Sequence, residues 1–522
     1  MFFLDFNQKL ATLYPISLHY GASMNEFINQ FFQNITGYLE YVLFFDILFG
    51  TVEGTSIPFL VAWLIMGGIY LTLKMNFVNL KMLGHSIKII RGKYNTKDDK
   101  GRITPFQSLT TALSATVGLG NIAGVAIAIS IGGAGATFWM IVAGFLGMSL
   151  KFTEVTLSVH YREFLKDGTI MGGGMEYLSK GLASKGWVRS GKVLAIVFAL
   201  FMIGGAIGGG NTFQVSQALS AISEQVPFFK ENSIVFGIIL AIITGMVIIG
   251  GIKRIAHTTE KIVPVMVAIY ILASLWILAV NYQAIPHAFY LIFTEAFAPS
   301  AVAGGMVGVI IQGFQRAVFS SEAGLGSAPI AHAPARVKYP VRQGMVALYE
   351  PFIDTVIICT MTALVIIITG VYDPANGYGA LIEAKEGAAL TSAAYGTVLS
   401  WFPLILSISI FLFAFSTLIA WSYYGERAWV YLFGTKSSIW FKLMFLGFII
   451  IASVVSTNIM VDFSFMLILS MALPNILGLM ILSGDVRRYL DEYIAKLKSG
   501  ELDREALDHE PKPHESNRHN HH

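Results

Sequence analysis

The amino-acid sequence predicts an all-α integral membrane protein with about eleven transmembrane helices. The first observation is composition: of 522 residues, 55% are hydrophobic and 13% are charged, about half the charged share of a soluble domain. The second is that the apolar residues form continuous runs of about 20 residues, rather than the short alternating runs of barrel strands. The third is an uneven distribution of lysine and arginine along the chain.

Charge balance and cysteine content exclude several other classes of protein. The 35 Lys and Arg residues nearly cancel the 32 Asp and Glu residues, so no nucleic acid or other polyanionic partner is indicated. The single cysteine excludes a disulfide framework and a metal site built from cysteines. A mean hydropathy of +0.65 is typical of a chain that lies largely within a lipid bilayer.

The predicted spans are apolar stretches long enough for a membrane helix. In chain order they are 55–75, 107–130, 136–158, 193–221, 233–251, 262–282, 301–322, 343–370, 398–424, 439–457 and 463–483. If the segment after the first span is cytoplasmic and the sides then alternate, 29 of the 35 Lys and Arg residues fall in cytoplasmic segments. An extra or missing span would remove this asymmetry. The sequence therefore predicts an external N-terminus and a cytoplasmic C-terminus, in a multi-pass protein of a bacterial-type inner membrane.

The chain divides into three predicted regions. Residues 1–54 form an external N-terminal segment whose aromatic part is a candidate interfacial helix. Residues 55–484 form the membrane domain. Residues 485–522 form a charged cytoplasmic tail, whose end, HESNRHNHH, is expected to be disordered rather than metal-binding.

The second span, QSLTTALSATVGLGNIAGVAIAIS, is the most informative segment of the sequence. Gly118, Gly120 and Gly124 lie in its middle, and glycine weakens a helix by about 1 kcal/mol relative to alanine. The cluster predicts an interrupted helix, which within a membrane must lie beside protein or a polar cavity. Amides freed at the break could bind a carboxylate, and freed carbonyls, with oxygens of Thr116 and Asn121, could bind a cation. Close helix packing explains the glycines equally well.

A second interrupted span is predicted within 301–330. Its small and polar residues are Gly313, Ser320, Ser321, Gly324, Gly326 and Ser327. The two interrupted spans are five spans apart and cross the membrane in opposite directions, an arrangement typical of two inverted five-helix repeats with a binding site between them. Repeat one is predicted at about 107–282 and repeat two at about 301–484, after one extra span.

Five uncharged polar side chains lie within other apolar spans, and each has two explanations. Asn211, Gln214 and Gln217 share one helix face, which either lines a substrate cavity or hydrogen-bonds a neighbouring helix. Ser416 and Thr417 lie in the middle of a span, where their hydroxyls either bond the backbone one turn earlier or complete a site for a small cation.

Two pairs of charged side chains lie at or near membrane depth, where such groups usually face a cavity or each other. Arg316 and Glu322 flank the second break and form either a structural pair or a gate. Lys151 and Glu154 are about one turn apart, and the spacing predicts an ion pair on the helix surface.

Two carboxylates and the cysteine complete the set of candidate groups. Glu350 and Asp354 are expected to be solvated or paired, with a proton or cation role second. Cys359 has no obvious partner, and most histidines lie in loops or in the tail. Because no nucleophile–base or metal constellation is visible, the sequence does not predict an enzyme.

Five segments resemble blocks of the alanine or glycine:cation symporter family, the sodium:alanine symporters. They are ATVGLGNIAG (115–124), GGAGATFWMIVAGFLGM (132–148), GNTFQ (210–214), FSSEAGLGSAPIAHAPA (319–335) and FSTLIAWSYYGERA (415–428). The second departs from the family signature at Thr137 and Ile141, and the fourth has Ser321 where the family usually has asparagine. The resemblance covers roughly 55–484.

The resemblance implies a transporter domain and a function. The function is import of a small neutral amino acid, alanine or glycine, coupled to sodium or protons by alternating access, on the five-plus-five fold of the amino acid–polyamine–organocation superfamily. It implies sodium as the co-transported ion, no cofactor, and no obligate protein partner beside the amino acid and the lipid bilayer. An ion channel, or a carrier of another small zwitterion, is the alternative.

The resemblance also implies which residues bind the substrate and the ion. The segment TVGLGN is similar to the broken first helix of neurotransmitter:sodium symporters, so the amides of Leu119 and Gly120 would hold the substrate carboxylate. The implied substrate-binding residues are Thr116, Gly118, Leu119, Gly120, Asn121, Gln214, Gln217 and Ser320. The implied sodium ligands are the carbonyls of Ser114, Val117 and Phe413 and the hydroxyls of Ser416 and Thr417.

Overall fold

The structure of the protein is a computed structural model that describes residues 24–48, 56–96, 98–165, 170–298 and 305–507. These residues are almost entirely helical, apart from a small antiparallel sheet of β1 (Glu163–Phe164) and β2 (Ile170–Met171). Helices suit a bilayer because each backbone polar group bonds within its own segment. The predicted all-α fold class is confirmed.

The helices before residue 298 include short connecting turns and long apolar segments. They are α1 (Met24–Leu43), α2 (Phe59–Lys74), α3 (Val78–Lys81), α4 (Leu83–Ile90), α5 (Pro105–Thr116), α6 (Val125–Gly132), α7 (Ala136–Tyr161), α8 (Gly174–Glu176), α9 (Leu182–Ser184), α10 (Val188–Ile207), α11 (Phe213–Gln225), α12 (Phe228–Glu231), α13 (Ser233–Ile248), α14 (Gly251–Val280) and α15 (Ile285–Glu295).

The helices after residue 304 follow the same pattern. They are α16 (Gly305–Ser321), α17 (Pro329–His332), α18 (Pro340–Ala347), α19 (Tyr349–Pro351), α20 (Thr360–Thr369), α21 (Gly379–Glu383), α22 (Gly387–Gly396), α23 (Phe402–Phe433), α24 (Ser438–Ala452), α25 (Thr457–Ser470), α26 (Ala472–Lys498) and α27 (Glu501–Leu507). Short 3₁₀ turns lie at Tyr282–Ala284, Pro374–Asn376 and Thr435–Ser437.

Seven helical segments among the described residues are long and apolar enough to cross a membrane. They are Ala136–Tyr161, Val188–Gln225, His257–Val280, Pro340–Thr369, Phe402–Phe433, Thr435–Ala452 and Thr457–Lys498. The bent pair of α5 and Gly120–Gly132 makes an eighth, and α2 and α13 are shorter apolar helices. Each apolar stretch that the sequence indicates overlaps one of these helices or α16.

The first predicted interruption is present between α5 and α6. A capping box of Thr104 and Gln107 begins α5, and the helix ends at Thr116, after which Val117 has a ψ of 88°. A π-helical turn, Gly120–Gly124, then leads into α6, and the two parts of the span meet at an angle of 55°.

The second predicted interruption is present between α16 and α17. After Ser321 the backbone of Glu322 has a φ of 56°, and Gly324 and Gly326 have φ values of 86° and 77°. Positive φ is costly for a glutamate and ordinary for glycine, so the sequence AGLG permits an unwound segment here. Helical structure resumes at Pro329, a residue suited to the first turn of a helix.

Two further spans contain π-helical turns that the sequence analysis did not predict. Gly208–Thr212 separates α10 from α11, and Phe352–Cys359 separates α19 from α20. Such turns release backbone groups from the regular α-helical pattern and often occur at functional sites. Both turns supply residues to the site described below.

The two ends of the described chain pack against the helical domain. In α1, Phe32 is buried and its ring lies 4.8 Å from the ring of Phe463. At the other end, α26 continues to Lys498, and His85 Nε2 lies 2.9 Å from the hydroxyl of Tyr493. Burial lowers the pKa of His85 to about 4, so this imidazole is neutral at physiological pH. The His-rich end of the predicted tail lies outside the described residues.

A glycine at the start of α22 allows that helix to lie directly on the first interruption. We expect Gly387→Ala to lower the midpoint of thermal unfolding, because an added methyl group would overlap backbone atoms of Ala123. Overpacking of this kind costs about 1–3 kcal/mol. The midpoint is measured on purified protein in detergent. Gly84→Ala is the control, because no atom lies within 4 Å of a methyl group added there. Equal midpoints for the two variants would contradict this close contact.

Candidate functional site

The two interrupted spans meet at one point in the interior. A Cβ atom placed on Gly120 would lie 3.1 Å from the Cα atom of Ser320, so the first interruption lies directly against the end of α16. Only a residue without a side chain permits so close an approach. Both residues are buried. The interruption of the second span therefore lies against the end of the seventh.

Asn121 and Asp354 join this meeting point to a third span. The side chain of Asn121 accepts a hydrogen bond from the amide of Gly118 at 2.9 Å and donates to Asp354 Oδ1 at 2.6 Å. Asp354 Oδ2 accepts from the hydroxyls of Ser320 at 2.9 Å and Thr355 at 2.8 Å. One buried carboxylate thus binds both interrupted spans to the π-helical turn Phe352–Cys359.

A narrow cavity lies beside the meeting point. Its lining residues are Ala115, Thr116, Gly118, Gly120, Gly209, Gln214, Phe319, Ser320, Glu322, Thr417, Trp421 and Ile468. Its volume is about 10 Å³, about enough for one water molecule. Polar backbone and side-chain groups form one part of the wall, and two aromatic rings and an isoleucine form another. Such a wall suits a small molecule with a charged end and a short apolar end.

Gln214 reaches the first interruption from the π-helical turn Gly208–Thr212. Its amide nitrogen donates to the carbonyl of Gly209 at 2.9 Å, and its amide oxygen lies 3.4 Å from the amide nitrogen of Leu119. The first of these bonds fixes the side chain across the π-helical turn. The second is long, so the Leu119 amide is held only weakly by the protein.

The structure gathers most of the implied substrate-binding residues around the cavity. Those that line it are Thr116, Gly118, Gly120, Gln214 and Ser320. Leu119 and Asn121 contact residues of this group, as described above. Gln217 lies elsewhere: its amide donates to the carbonyl of Lys385 at 2.9 Å and accepts from the amide of Ala388 at 3.1 Å. Asn211 donates to the carbonyl of Phe445 at 2.7 Å, the helix-bonding alternative for that residue.

One hydroxyl of the implied sodium site, that of Thr417, lacks a partner within the described part of the chain, and so does the hydroxyl of Ser114, whose carbonyl is the implied ligand. Ser114 Oγ and Thr417 Oγ1 are buried and have no hydrogen-bond partner among the described residues. The amide of Gly118, which would otherwise bond the carbonyl of Ser114 in a helix, donates to Asn121 instead. Unsatisfied buried oxygens are unfavourable unless another group binds them. These oxygens are therefore suited to a small hard cation.

The other implied sodium ligands are arranged differently. The hydroxyl of Ser416 donates to the carbonyl of Phe413 at 3.0 Å, which is the backbone-bonding alternative for this residue. Thr417 makes no such bond, and its Oγ1 would lie 2.5 Å from a Cβ placed on Gly118. Val117 adopts a non-helical conformation at the end of α5. Thr417 therefore belongs both to the cavity wall and to the implied ion site.

A group of charged side chains lies buried beside the cavity. Lys151 Nζ lies 3.1 Å from Glu350 Oε2, and neither side chain is exposed to solvent. Glu350 also bonds the Nε2 atom of His332, and Gln343 lies 2.6 Å from the Nδ1 atom of that ring. The predicted surface ion pair of Lys151 and Glu154 is wrong, because the countercharge of Lys151 comes from α19 rather than from its own helix.

Two other glutamates belong to the same buried group. Glu154 Oε1 accepts from the amide of Gly326 at 3.1 Å and from Asn475 Nδ2 at 2.6 Å. Glu322, within the second interruption, bonds the hydroxyl of Ser327 and accepts from Trp421 Nε1 at 2.8 Å. Both carboxylates thus hold the unwound segment, and Glu322 also fixes one wall of the cavity.

Arg316 and Glu322 do not pair, so that alternative from the sequence is wrong. The guanidinium of Arg316 lies 4.8 Å from the ring centroid of Phe465, and its Nε and Nη1 atoms have no hydrogen-bond partner among the described residues. Phe465 in turn stacks with Phe319 at 6.0 Å between ring centroids. These two rings separate the cavity from Arg316.

The segment of α21 and α22 also lies against the site. Lys385 Nζ lies 2.6 Å from Asp462 Oδ1, an ion pair that joins this segment to α25. Thr391 donates to the carbonyl of Ile122 at 3.1 Å, in the π-helical turn of the first interruption. These two contacts therefore join the segment of α21 and α22 to both predicted repeats.

Several cavity residues were missed by the sequence analysis. Phe319, Trp421 and Ile468 lie in apolar runs, where nothing distinguishes a cavity wall from ordinary core. Asp354 was assigned a cation role only second to pairing. The sequence does contain a signal for a functional role of Asp354, because an aspartate within a span of otherwise apolar residues is unfavourable unless it belongs to a site.

Comparisons with known proteins agree with this architecture. A family model described as the sodium:alanine symporter family matches residues 44–507. The sodium/alanine symporter AgcS of Methanococcus maripaludis is 40% identical over 430 residues, covering 82% of this chain and 92% of the relative. The probable sodium/glutamine symporter GlnT of Bacillus subtilis is 33% identical over 445 residues, covering 84% and 89%. The structure of MhsT in complex with L-phenylalanine has a TM-score of 0.51, with 13% identity, covering 75% of this chain and 98% of that chain, a likeness of fold.

The buried ion pair of Lys151 and Glu350 gives a prediction about stability. We expect Lys151→Met to destabilise the protein by about 3–5 kcal/mol, because it leaves a buried carboxylate without its countercharge. Adding Glu350→Gln to Lys151→Met should recover part of the loss. Thermal unfolding in detergent measures both effects. Lys93→Met, which removes an exposed ion pair with Asp503, should change the midpoint much less, because solvent screens exposed pairs. Additive losses in the double variant would argue against a direct pair.

Proposed function

The chain belongs to the sodium:alanine symporter family, and from that membership we propose that it imports a small neutral amino acid, alanine or glycine, together with sodium. It is a membrane transport protein and not an enzyme. Cation-coupled amino-acid symport is the function of the family; the substrate, the ion and the direction are the proposal. The proposed location is the plasma membrane, with the N-terminus outside and the C-terminus in the cytoplasm.

One observation carries this proposal: the two interrupted spans meet beside a narrow cavity, and oxygens without partners lie next to it. Gly120 touches the end of α16 at Ser320, while the hydroxyls of Ser114 and Thr417 have no hydrogen-bond partner among the described residues. Interrupted membrane helices supply free amides for an anion and free carbonyls for a cation. A zwitterion and a sodium ion need both kinds of group.

The proposed substrate site uses the amides of the first interruption for the carboxylate. The amide of Leu119 has only a long contact with Gln214, so a carboxylate could replace Gln214 there at little cost. Asn121 and Ser320 hold Asp354 close by, which gives the site negative charge near the position of an ammonium group. The rings of Phe319 and Trp421 line this narrow cavity. This supports alanine or glycine over larger amino acids.

The proposed sodium site lies between the first interruption and α23. Its ligands are the carbonyls of Ser114, Val117 and Phe413 and the hydroxyls of Ser416 and Thr417. Of these two hydroxyls, that of Thr417 has no hydrogen-bond partner among the described residues, and carbonyl and hydroxyl oxygens are hard ligands that suit an alkali cation. Because Thr417 also lines the cavity, sodium binding would order a wall of the substrate site. Coupling then follows from a higher substrate affinity of the sodium-bound state.

Uptake by proteoliposomes tests the proposed function. Purified protein is reconstituted, and uptake of labelled alanine is measured with an inward sodium gradient, with choline in its place, and with an inward proton gradient. We expect accumulation with sodium that unlabelled alanine or glycine suppresses and that glutamine suppresses less. Uptake that is indifferent to both gradients would contradict coupled transport. Currents of single openings would favour the channel instead.

A substitution in α23 tests the proposed ion site. We expect Thr417→Ala to raise the sodium concentration for half-maximal alanine uptake by about tenfold, since one ion–dipole contact is worth about 1.5 kcal/mol. Ser422→Ala, on the same helix, is the matched control, because its buried hydroxyl donates to the carbonyl of Ile419 at 2.8 Å. The control should retain the sodium dependence of the unmodified protein. An unchanged sodium dependence in Thr417→Ala would refute this ion site.

A further inference from the structure

Neither the proposed substrate site nor the proposed sodium site uses the buried charged group beside the cavity. This group, here called the inner carboxylate cluster, consists of Glu154, Glu322 and Glu350 with Lys151 and His332. All five side chains are buried: four have no exposed surface and Glu322 is 2% exposed. The cluster therefore needs an explanation in terms of charge.

The cluster contains more carboxylates than positive charges. Lys151 interacts electrostatically with all three glutamates, and most strongly with Glu350. In the imidazole of His332, Nδ1 lies 2.6 Å from the amide nitrogen of Gln343, and Nε2 bonds Glu350. Glu350 thus takes the lysine and the imidazole as its partners. No positive charge remains for the other two glutamates.

Glu154 and Glu322 are bound by uncharged donors alone. The donors to Glu154 are the amide of Gly326 and the side chain of Asn475, both at Oε1, and Oε2 has no hydrogen-bond partner among the described residues. The donors to Glu322 are the hydroxyl of Ser327 and the indole of Trp421. A buried carboxylate without a compensating charge is strongly unfavourable. A carboxyl group that keeps its proton avoids this penalty.

The elements packed against these two carboxyl groups carry titratable groups of their own. The titratable groups are Lys151 on α7, His332 on α17, Glu350 on α19, Tyr424 on α23, and Tyr177 in a π-helical turn. The two basic groups in this set, Lys151 and His332, both lie at the Glu350 carboxylate. The neighbours therefore do not neutralise a second and a third ionised glutamate.

We propose that Glu154 and Glu322 each keep a proton while the cavity is closed, and that Glu322 exchanges its proton with the cavity when it opens. Glu322 is the member that lines the cavity, whereas Glu154 lies behind the unwound segment. The step is addition of a proton to a carboxylate oxygen, and its reversal returns the proton to water. The exchange rests on the proposed function, because it requires a cavity that opens; the proton site in the closed state does not.

These protons give the closed state a definite dependence on pH. Both carboxyls hold the segment after the second interruption, at Gly326 and Ser327, and Glu322 also holds Trp421 in the cavity wall. Loss of these protons would leave two buried negative charges without a countercharge of their own, which disfavours the compact arrangement. The closed state is therefore stabilised at lower pH and destabilised as the pH rises, and substrate affinity falls with it.

Infrared spectroscopy tests the proton site without any assumption about transport. We expect the unmodified protein, reconstituted in lipid at neutral pH, to show the C=O absorption of a protonated carboxyl group. Glu154→Gln or Glu322→Gln should remove or shift this absorption. Glu163→Gln, which neutralises an exposed partner of Lys180, should leave it unchanged. No such absorption at neutral pH, or an absorption lost only in Asp354→Asn, would overturn the proposal.

Substrate binding tests the exchange through the cavity. We expect the dissociation constant for alanine, measured with saturating sodium, to rise with pH by at most tenfold per pH unit, the limit for one linked proton. Glu322→Gln should flatten this dependence, and Glu154→Gln provides a second variant if the first does not fold. A dissociation constant independent of pH in the unmodified protein would overturn the exchange. If the protonated carboxyl is present and alanine does not bind, the proton site stands and the proposed function fails.

Discussion

Backbone hydrogen bonding within the membrane is the constraint on which the rest of this structure depends. Where a span abandons the helix, water is not there to bond the freed amides and carbonyls, so side chains must do so. At the first interruption Asn121 binds the amide of Gly118. At the second, Glu154 binds the amide of Gly326, and Asn475 binds the carbonyl of Gly324 at 2.8 Å. The unusual polar residues of the apolar spans are thus largely a consequence of the interruptions.

The same constraint explains why the interruptions lie together. The backbone groups of a regular helix already bond one another. An interrupted helix therefore needs partners from side chains or from other irregular segments. Here the second and seventh spans, which begin the two predicted repeats, meet at Gly120 and Ser320, and Asp354 bonds both from a third irregular segment. Each irregular segment therefore supplies partners to the others. A cavity with polar walls results, because the groups that form these hydrogen bonds lie together in one place.

The sequence predicts those features of the structure that depend on residues close together in the chain. It does not predict those that depend on tertiary packing. The interruptions at 117–124 and 322–328 were visible, because clustered glycines weaken a helix wherever it packs. The π-helical turns at Gly208–Thr212 and Phe352–Cys359 were not, because one extra residue in a turn leaves the apolar run continuous. The partner of Lys151 was also hidden. Spacing shows which residues share a helix face, but the neighbouring helix that supplies Glu350 is fixed by tertiary packing.

The position of Thr417 connects the proposed ion site to the proposed substrate site. Its side chain lines the cavity and touches the space over Gly118, while its hydroxyl lacks a partner among the described residues. An ion bound by that hydroxyl and by the carbonyl of Ser114 would fix the end of α5, and with it the amides that follow. A substrate carboxylate bound by those amides would in turn hold the carbonyls toward the ion. Each ligand would then stabilise the backbone conformation that the other requires, which is the physical content of coupling between two sites.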